Sequence, residues 1–440
     1  MKLSKSLART RDGLVAALDI GCSKVCCFIA RCDADGRPRV IGIGQQAARG
    51  IKNGTVTDMA GAEATILNAV HAAEQMAGET ISHVVVSLAG GHPVSSSIGV
   101  QIALNGHEVR DTDLRRAFEQ GHHAFGLKKG GANGNGAAHL TDGFQADNGR
   151  QMIHSIPTGY TIDGNRGIRD PRGMFGDRLG VKIHFVTAAS GAVRNLTTCI
   201  RKCHLDVTDY VVASYAAGLA ALAEDELELG ATVIDMGGGM TSIAVFYEGS
   251  VAFTDVVPVG GNHVTKDIAR GLSTTLAHAE RLKTLYGHAM STGADDRELI
   301  DVPQVGEDDE RNARQVPRSL LIGIVQPRLE ETFELVRSRL EASGFDKLGG
   351  RRVVLTGGAS LLPGMRELGG LILDKQLRIG RPTRIEGLAE ATAGPAYATC
   401  AGLLLYGIAE ARVAPDTPSH VEDRTEGVFG RVGHWLREHF

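Results

Sequence analysis

The chain has 440 residues, of which 42% are hydrophobic and 22% charged, and its formal net charge is -4. This composition is typical of a globular protein and excludes an intrinsically disordered chain, and the small negative charge gives no reason to expect nucleic acid as a partner. The length predicts two or more lobes with separate cores. No apolar run reaches the roughly 18 residues of a membrane-spanning helix, and the amino terminus lacks the apolar core of a secretion signal, so we expect a cytoplasmic protein.

Two segments far apart in the chain share one pattern. Residues 14–30 read LVAALDIGCSKVCCFIA, and residues 231–247 read ATVIDMGGGMTSIAVFY. Each has a short apolar run, then Asp-x-Gly and small residues, then a second apolar run, which predicts a strand, a glycine turn and a returning strand. The backbone N–H groups of such a turn converge on an anion, and phosphate is the natural occupant.

The side chains beside the two turns complete a predicted phosphate and metal site. Asp19 and Asp235 end the first strand of each copy, too close to a phosphate to favour it directly, so we expect them to hold Mg²⁺ through metal-bound water. A single hairpin of this kind would be weak support, because any tight turn prefers Asp and Gly, but two copies are harder to dismiss. The predicted phosphate-binding residues of the turns are Gly21, Ser23, Lys24, Gly237, Gly238, Gly239, Thr241 and Ser242.

Between the two patterns, residues 126–150 are rich in glycine, alanine and asparagine. This mixture cannot bury enough apolar surface to hold one shape, so a mobile surface loop is predicted. The cysteines, seven in all, are expected to be unpaired. Cys199, Cys203 and His204 are the alternative as a metal site, but no second ligand pair stands at the usual zinc spacing.

A helix is predicted at 276–287, where Glu280 and Lys283 stand one turn apart. Taken alone, this pair is better explained by a surface salt bridge. Residues 351–365, RRVVLTGGASLLPGM, then predict an apolar strand that runs into a Gly-Gly turn and a helix opened by Ser360. The backbone of that turn could lie against a flat ring or a ribose.

The last 31 residues divide into a linker and a tail. Residues 410–426 are rich in charge and proline and predict a flexible linker. On a helix, residues 427–440 present Arg431, His434 and Arg437 on one face and an apolar stripe on the other. Docking on the protein's own surface is the alternative, but Trp, Phe and Arg are the mixture expected of a helix that lies in a lipid headgroup layer. The predicted membrane residues are Val428, Phe429, Val432, Trp435, Leu436 and Phe440.

Taken in this order, the motifs resemble the actin-like ATPase superfamily, an α/β fold of two lobes that each hold a five-stranded sheet with flanking helices. The resemblance implies that ATP and Mg²⁺ bind in the cleft between the lobes, and it implies connecting helices at 211–222 and 393–407. It assigns five further residues to the nucleotide: Gly261, Glu280, Lys283, Gly357 and Gly358.

Three segments, 48–58, 152–188 and 257–272, closely resemble the FtsA family of bacterial cell-division proteins. The resemblance implies an actin-like fold with an FtsA-type subdomain 1C in place of the usual actin subdomain. The implied boundaries are 1–82, 180–208 and 385–410 for subdomain 1A, 83–179 for 1C, 209–258 and 333–384 for 2A, 259–332 for 2B, 411–426 for the linker and 427–440 for the membrane helix.

The FtsA resemblance also implies a function. It implies a scaffold that polymerises head to tail, binds the carboxy-terminal peptide of FtsZ and other division proteins, and attaches FtsZ filaments to the cytoplasmic face of the inner membrane at the septum. Arg314, Arg318 and Arg328 match the basic residues expected to dock the acidic FtsZ peptide, and a solvated helix face is the alternative.

No catalytic base is assigned. Asp209 stands where the superfamily often places a water-orienting group, but a helix-capping role is at least as well supported. ATP hydrolysis is therefore expected to be slow, and an FtsA-like adaptor or a small-molecule kinase of the same superfamily are the alternative functions.

Overall fold

The computed structural model describes residues 13–32, 38–129, 144–146, 149–306 and 313–413. The first elements are β1 (Leu14–Ile20), β2 (Lys24–Cys32), β3 (Pro38–Ala47), β4 (Ile51–Lys52), β5 (Thr55–Val56), α1 (Met59–Ala77), β6 (His83–Leu88), β7 (Val94–Ala103), α2 (Asp111–Ala124), β8 (Leu127–Lys129), β9 (Phe144–Ala146), β10 (Arg150–Ile162), β11 (Asn165–Ile168) and β12 (Arg178–Ala189). They are followed by α3 (Ser190–Lys202), β13 (Asp206–Val212), α4 (Ala213–Ala221), α5 (Glu224–Leu229), β14 (Ala231–Met236), β15 (Thr241–Tyr247), β16 (Ser250–Val257), α6 (Gly261–Gly271) and α7 (Leu276–Tyr286). The last are β17 (Leu299–Val302), β18 (Arg314–Pro317), α8 (Arg318–Ser343), β19 (Arg352–Thr356), α9 (Met365–Leu373), β20 (Gln376–Ile379) and α10 (Ala398–Val413).

The first lobe is built on a five-stranded sheet in the order β13-β6-β1-β2-β3. Its second strand, β2, is apolar on both faces because both are covered. Cys27 and Ile29 pack in the core that includes α1 and α3, whereas Cys26 and Phe28 pack in the core that includes α4 and α10. This explains why β2 reads as a continuous apolar run rather than an alternating one.

The second lobe repeats this plan with a five-stranded sheet in the order β16-β15-β14-β19-β20. Ile234 and Ile243 face a core that also contains residues of α6, α8 and α9. Val233 and Phe246 face the opposite side, where α4 packs. Helix α4 therefore lies between the cores of the two lobes, and the closest approach in this region joins α4 to α10. A Cβ placed on Gly402 of α10 would lie 1.7 Å from the carbonyl oxygen of Ala216 of α4.

A third sheet of six strands is inserted into the first lobe. Its order is β7-β12-β10-β9-β8, with β11 paired to β10, and α2 covers one face through residues such as Leu114 and Ala117. The predicted limits 83–179 need correction at both ends. Strand β6 begins at His83 but pairs with β1 and β13 in the first sheet, and β12 continues to Ala189 beside β7 and β10.

Two other predicted boundaries fall inside single elements. Position 209 lies within β13, which completes the first sheet up to Val212, and position 332 lies within the continuous helix α8. The predicted connecting helices are present as α4 and α10, but both begin later than expected. Strand β13 runs to Val212, and a short 3-10 helix at Pro395–Tyr397 precedes α10.

Two predictions fall partly or wholly outside the described residues. Within 126–150, Leu127–Lys129 pairs with Phe144–Ala146 as β8 and β9, and residues 130–143 and 147–148 lie outside the description. The linker from residue 414 onward and the membrane helix at 427–440 lie wholly outside it. Among the described helices, none is long and apolar enough to cross a membrane.

Candidate functional site

The two Asp-x-Gly segments form equivalent hairpins. The N–H of Gly21 donates to the carbonyl of Lys24 at 3.0 Å, and the N–H of Gly237 donates to the carbonyl of Met240 at 2.9 Å. The turns face each other closely, since a Cβ on Gly238 would lie 2.9 Å from the Cβ of Ser23. The repeated sequence pattern therefore brings two glycine turns from different lobes to one place.

These turns end at a cleft of about 360 Å³. Of the predicted nucleotide residues, those that line it are Asp19, Gly21, Ser23, Lys24, Asp235, Gly237, Gly238, Gly239, Ser242, Gly261, Glu280, Lys283, Gly357 and Gly358. Thr241 is the exception, because its hydroxyl is buried and donates to the carbonyl of Val259 at 2.8 Å. The hairpin register explains the difference: Ser242 pairs with Asp235 and lines the cleft, whereas Thr241 pairs with Met236 and lies on the opposite face of the sheet.

Two partly buried carboxylates line the cleft, and we call Asp19 and Asp235 the carboxylate pair. Burial and the charge of Asp19 raise the pKa of Asp235 to about 6, although Thr399 donates a hydrogen bond to its Oδ2 at 3.0 Å. Burial likewise raises the pKa of Asp19, against a hydrogen bond from Ser87. Two anions that share a buried site favour either a proton or a cation.

The chemistry of this pair fits Mg²⁺ bound mainly through water and phosphate. Among the described residues, no group of three or more His, Cys, Asp or Glu side chains could enclose a metal ion. Mg²⁺ usually keeps several water ligands and binds through one or two carboxylates together with substrate phosphates. The pair therefore suits an ion that arrives with a phosphate ligand.

Helix α7 closes one side of the cleft through a small polar network. Nζ of Lys283 lies 2.6 Å from Oε2 of Glu280 and 2.9 Å from Oγ1 of Thr265, and it donates to the carbonyl of Gly261 at 3.3 Å. The Lys283 side chain is only 15% exposed. The pair is thus part of the cleft wall, but it also forms an ion pair in which the Glu280 side chain is 52% exposed, so the salt-bridge alternative stays open.

The late glycine turn packs directly on the carboxylate pair. Gly357 has a φ of 82°, and a Cβ there would lie 2.4 Å from Oδ1 of Asp235. Its N–H donates to the carbonyl of Pro395 at 3.1 Å. Only glycine combines this left-handed backbone with so close an approach. The predicted helix after it is a short 3-10 helix, Gly358–Leu361, in which Ser360 donates to the carbonyl of Gly357.

Sequence reasoning missed part of the cleft lining. Gly260 lies beside the lining and packs so closely on the second turn that a Cβ there would lie 2.5 Å from the carbonyl oxygen of Gly237. The remaining missed residues have no local pattern that points to a ligand, and they include Asn262, Leu329, Leu361, Leu362, Pro363, Pro395 and Thr399. Several are apolar, which suits a wall against the flat face of a ring.

The three predicted partner-binding arginines differ in availability. Arg314 lies in β18 and is exposed. Arg318 is 22% exposed and lies 2.9 Å from Glu298 and 3.2 Å from Asp295. Arg328 is paired with Asp267 at 2.5 Å and with Glu331. The structure therefore leaves Arg314 as the most accessible of the three.

Asp209 and the cysteine group have structural surroundings of their own. Asp209 lies within β13 beside Tyr406, and residue Val212 caps α4, so the predicted capping role is wrong. Asp209 does not line the cleft. All seven cysteines are free, as predicted. The thiol of Cys203 contacts the carbonyl of Cys199 at 3.3 Å, and neither belongs to a metal cluster of the described residues.

Two five-stranded sheets that meet at facing glycine hairpins, with two helices crossing behind them, define an actin-like protein. Solved structures agree on this fold. The PilM-PilN type IV pilus biogenesis complex matches with a TM-score of 0.59 at 17% identity, over 90% of this chain and 98% of that chain. MreB5 of Spiroplasma citri bound to ADP matches with a TM-score of 0.51 at 12% identity, over 91% and 97%.

Comparison with known sequences identifies the family within this fold. The family model described as Cell division protein FtsA matches residues 232–402, and the SHS2 domain inserted in FtsA matches residues 138–187. Cell division protein FtsA of Agrobacterium fabrum is 43% identical over 449 residues, which cover 99% of this chain and 97% of the relative. The Pseudomonas aeruginosa and Escherichia coli proteins are 34% and 31% identical over at least 97% of each chain. The chain belongs to the FtsA family, and the predicted actin-like fold with an FtsA-type insert is confirmed.

Proposed function

We propose that this chain is an ATP-binding, actin-like cell-division protein that polymerises and tethers FtsZ filaments to the cytoplasmic face of the inner membrane at the septum. The carboxylate pair beneath two facing glycine turns is the observation that carries the nucleotide part. Membership of the FtsA family supports the role in division. The tail sequence supports the membrane part.

The residues of the cleft fit Mg²⁺ and ATP. The backbone N–H groups of the two turns would hold phosphate, and the carboxylate pair would hold the metal through its water ligands. Lys283 and the apolar residues near Leu362 border the space for the nucleoside. When bound, Mg²⁺ would supply the positive charge that offsets the carboxylate pair, and a phosphate group held by both hairpins would stabilise closure of the lobes.

A role in phosphoryl transfer to a small acceptor is not favoured. Each acidic side chain that lines the cleft already has a partner: Ser87 for Asp19, Thr399 for Asp235, and Lys283 for Glu280. Asp209, the candidate base, lies outside the lining. We therefore expect slow ATP hydrolysis, and phosphoryl transfer to a sugar at roughly tens per second would contradict the proposal.

The tail is proposed to bind lipid reversibly. Six apolar side chains at about 1.5–3 kcal/mol each when fully buried, and less when half buried, offer on the order of 6–10 kcal/mol before costs. Gly430 and Gly433 each cost roughly 1 kcal/mol of helix propensity, and so short a helix is marginal in water. A single tail is therefore a weak anchor, and a polymer that carries many tails multiplies the effective affinity.

Trp435→Glu tests this anchor. A buried carboxylate on the apolar stripe should release most of the protein from anionic vesicles in a sedimentation assay, while ADP affinity stays unchanged. His434→Glu is the matched control, because it places the same charge on the polar face of the predicted helix. Equal vesicle binding by Trp435→Glu and the unmodified chain would remove the tail from the proposal.

The FtsZ peptide is proposed to dock near β18 and α8. Arg314 is the clearest test, because it is exposed and its charge reversal leaves the internal ion pairs of Arg318 and Arg328 intact. Arg314→Glu should weaken binding of an FtsZ carboxy-terminal peptide by about tenfold, since an attractive charge becomes a repulsive one. Arg337→Glu, in helix α8 and farther along the chain, is the control. Unchanged peptide affinity in Arg314→Glu would exclude this residue from the site.

A further inference from the structure

Lys24 lines the cleft, but its ammonium group lies against an aromatic ring. Nζ is 3.3 Å from the centroid of the Tyr397 ring. The ring is held in place from two other sides: its hydroxyl donates to Oε1 of Gln45 at 2.6 Å, and it stacks on Phe28 with centroids 6.1 Å apart. A partly buried ammonium over a tyrosine face gains a favourable cation–π interaction.

This position is unexpected because a stronger electrostatic partner is near. The charges of both Asp19 and Asp235 act on Lys24, and they oppose the fall in its pKa that burial causes. Nevertheless, within the described part of the chain, Lys24 forms no ion pair within 4.0 Å with either carboxylate. The ring thus holds the ammonium near the carboxylate pair, where its charge acts on both carboxylates without a direct ion pair.

The segment that carries Tyr397 is fixed to the second lobe. The carbonyl of Pro395 accepts hydrogen bonds from the N–H of Gly357 and the hydroxyl of Thr356, both at 3.1 Å. Two residues after the tyrosine, Thr399 donates to Asp235. Tyr397 therefore holds a lysine of the first lobe from a segment anchored at the carboxylate pair.

We propose that Tyr397 is a positioning residue that holds the Lys24 ammonium off the carboxylate pair and so keeps both carboxylates available to a divalent cation. The inference rests on the proposed binding of a metal and nucleotide in this cleft. Without the ring, the flexible lysine side chain moves onto the carboxylates, and its charge competes with the metal. An ammonium over a ring can also turn toward a phosphate oxygen once the metal has occupied the pair.

Calorimetry tests this role. ADP is titrated into the protein at a series of Mg²⁺ concentrations, and once more in a Mg²⁺-free buffer that contains a chelator. Tyr397→Leu should need about tenfold more Mg²⁺ for half-maximal ADP binding, while its affinity for ADP without Mg²⁺ changes by less than about twofold. Tyr397→Phe keeps the ring and should match the unmodified chain. Tyr247→Leu, a tyrosine at the end of β15 outside the cleft lining, is the matched control.

A double variant separates competition by Lys24 from a general disturbance. If the released lysine competes with the metal, Tyr397→Leu should raise the Mg²⁺ requirement only when Lys24 is present, so Tyr397→Leu with Lys24→Met should match Lys24→Met alone. Tyr397 also packs on Phe28, so Tyr397→Met is a second variant that fills more of the space without a ring.

The outcomes separate this inference from the proposed function. Absence of Mg²⁺-dependent ADP binding in the unmodified chain would contradict the nucleotide function itself. If the unmodified chain shows normal Mg²⁺-dependent binding, three results would overturn only the role of Tyr397. These are an unchanged Mg²⁺ requirement in both ring-free variants, an equal loss of ADP affinity with and without Mg²⁺, and a Tyr397→Phe variant that behaves like Tyr397→Leu.

Discussion

Asp19 and Asp235 come from opposite halves of the chain, and the fold brings both to the lining of one cleft. Both are partly buried, and burial with the charge of Asp19 raises the pKa of Asp235 to about 6 from a usual value near 4. In the cation-free protein, the raised pKa means that the folded state holds its proton to a higher pH than the unfolded state does. The free energy of unfolding therefore falls as the pH rises from about 4 to about 6, and a bound cation offsets that loss.

The raised pKa of Asp235 predicts a pH-dependent affinity for the metal. Below about pH 6 the incoming cation must displace a proton, so the Mg²⁺-dependent part of ADP binding should fall by up to about tenfold for each pH unit. Above pH 6 the affinity should be level. Titration calorimetry between pH 5 and pH 8 in two buffers would record the released proton. Asp235→Asn should weaken Mg²⁺-dependent binding and remove this proton release, and an unchanged pH profile in that variant would contradict the assignment.

The sequence predicted the cleft well where the signal is local. An Asp, a glycine turn and two flanking apolar strands specify a hairpin within a few residues, and both copies lie in the cleft as expected. The prediction that Thr241 lines the cleft was wrong by one position, because the sequence alone does not fix which residue of the returning strand faces the cleft. Tyr397 and Thr399 gave no signal, because their roles depend on contacts with residues far away along the chain.

At the scale of elements, the crossing of α4 and α10 depends on small residues. Gly402 allows the backbones to approach so closely that any side chain would meet the carbonyl of Ala216. The sequence predicted two connecting helices from their small residues, but it placed their starts too early. Their limits depend on tertiary context, since β13 extends to Val212 to complete a sheet whose partner strand, β6, lies far earlier in the chain.

Gly402→Ala should therefore destabilise the protein by about 3 kcal/mol, because the helices must move apart and both lobes lose packing. The midpoint of urea unfolding measures this change. Gly323→Ala is the matched control, since Gly323 lies in helix α8 with open space around the position of a Cβ. That control should be stabilised by up to about 1 kcal/mol through helix propensity. Equal stability of Gly402→Ala and the unmodified chain would contradict the tight crossing.

At the scale of the whole molecule, the inserted sheet contacts the second lobe as well as the first. The hydroxyl of Ser95 in β7 donates to the carbonyl of Thr254 at 2.7 Å and accepts from its N–H at 3.0 Å. Arg169 and Glu228 add an exposed ion pair at 2.8 Å, which contributes little. The insert is thus held against the edge strand β16 of the second sheet, a placement that the sequence pattern could not reveal because it joins segments far apart in the chain.

The proposed tether combines a nucleotide-binding body, a partner surface and a lipid-binding tail in one chain. Co-sedimentation with vesicles is the most direct measurement, using the full chain and a variant ending at residue 426, each with and without FtsZ. The account predicts that the full chain brings FtsZ to the vesicle pellet and that the shortened variant binds ADP equally well but leaves FtsZ in the supernatant. Equal recruitment of FtsZ by both forms would contradict the central claim.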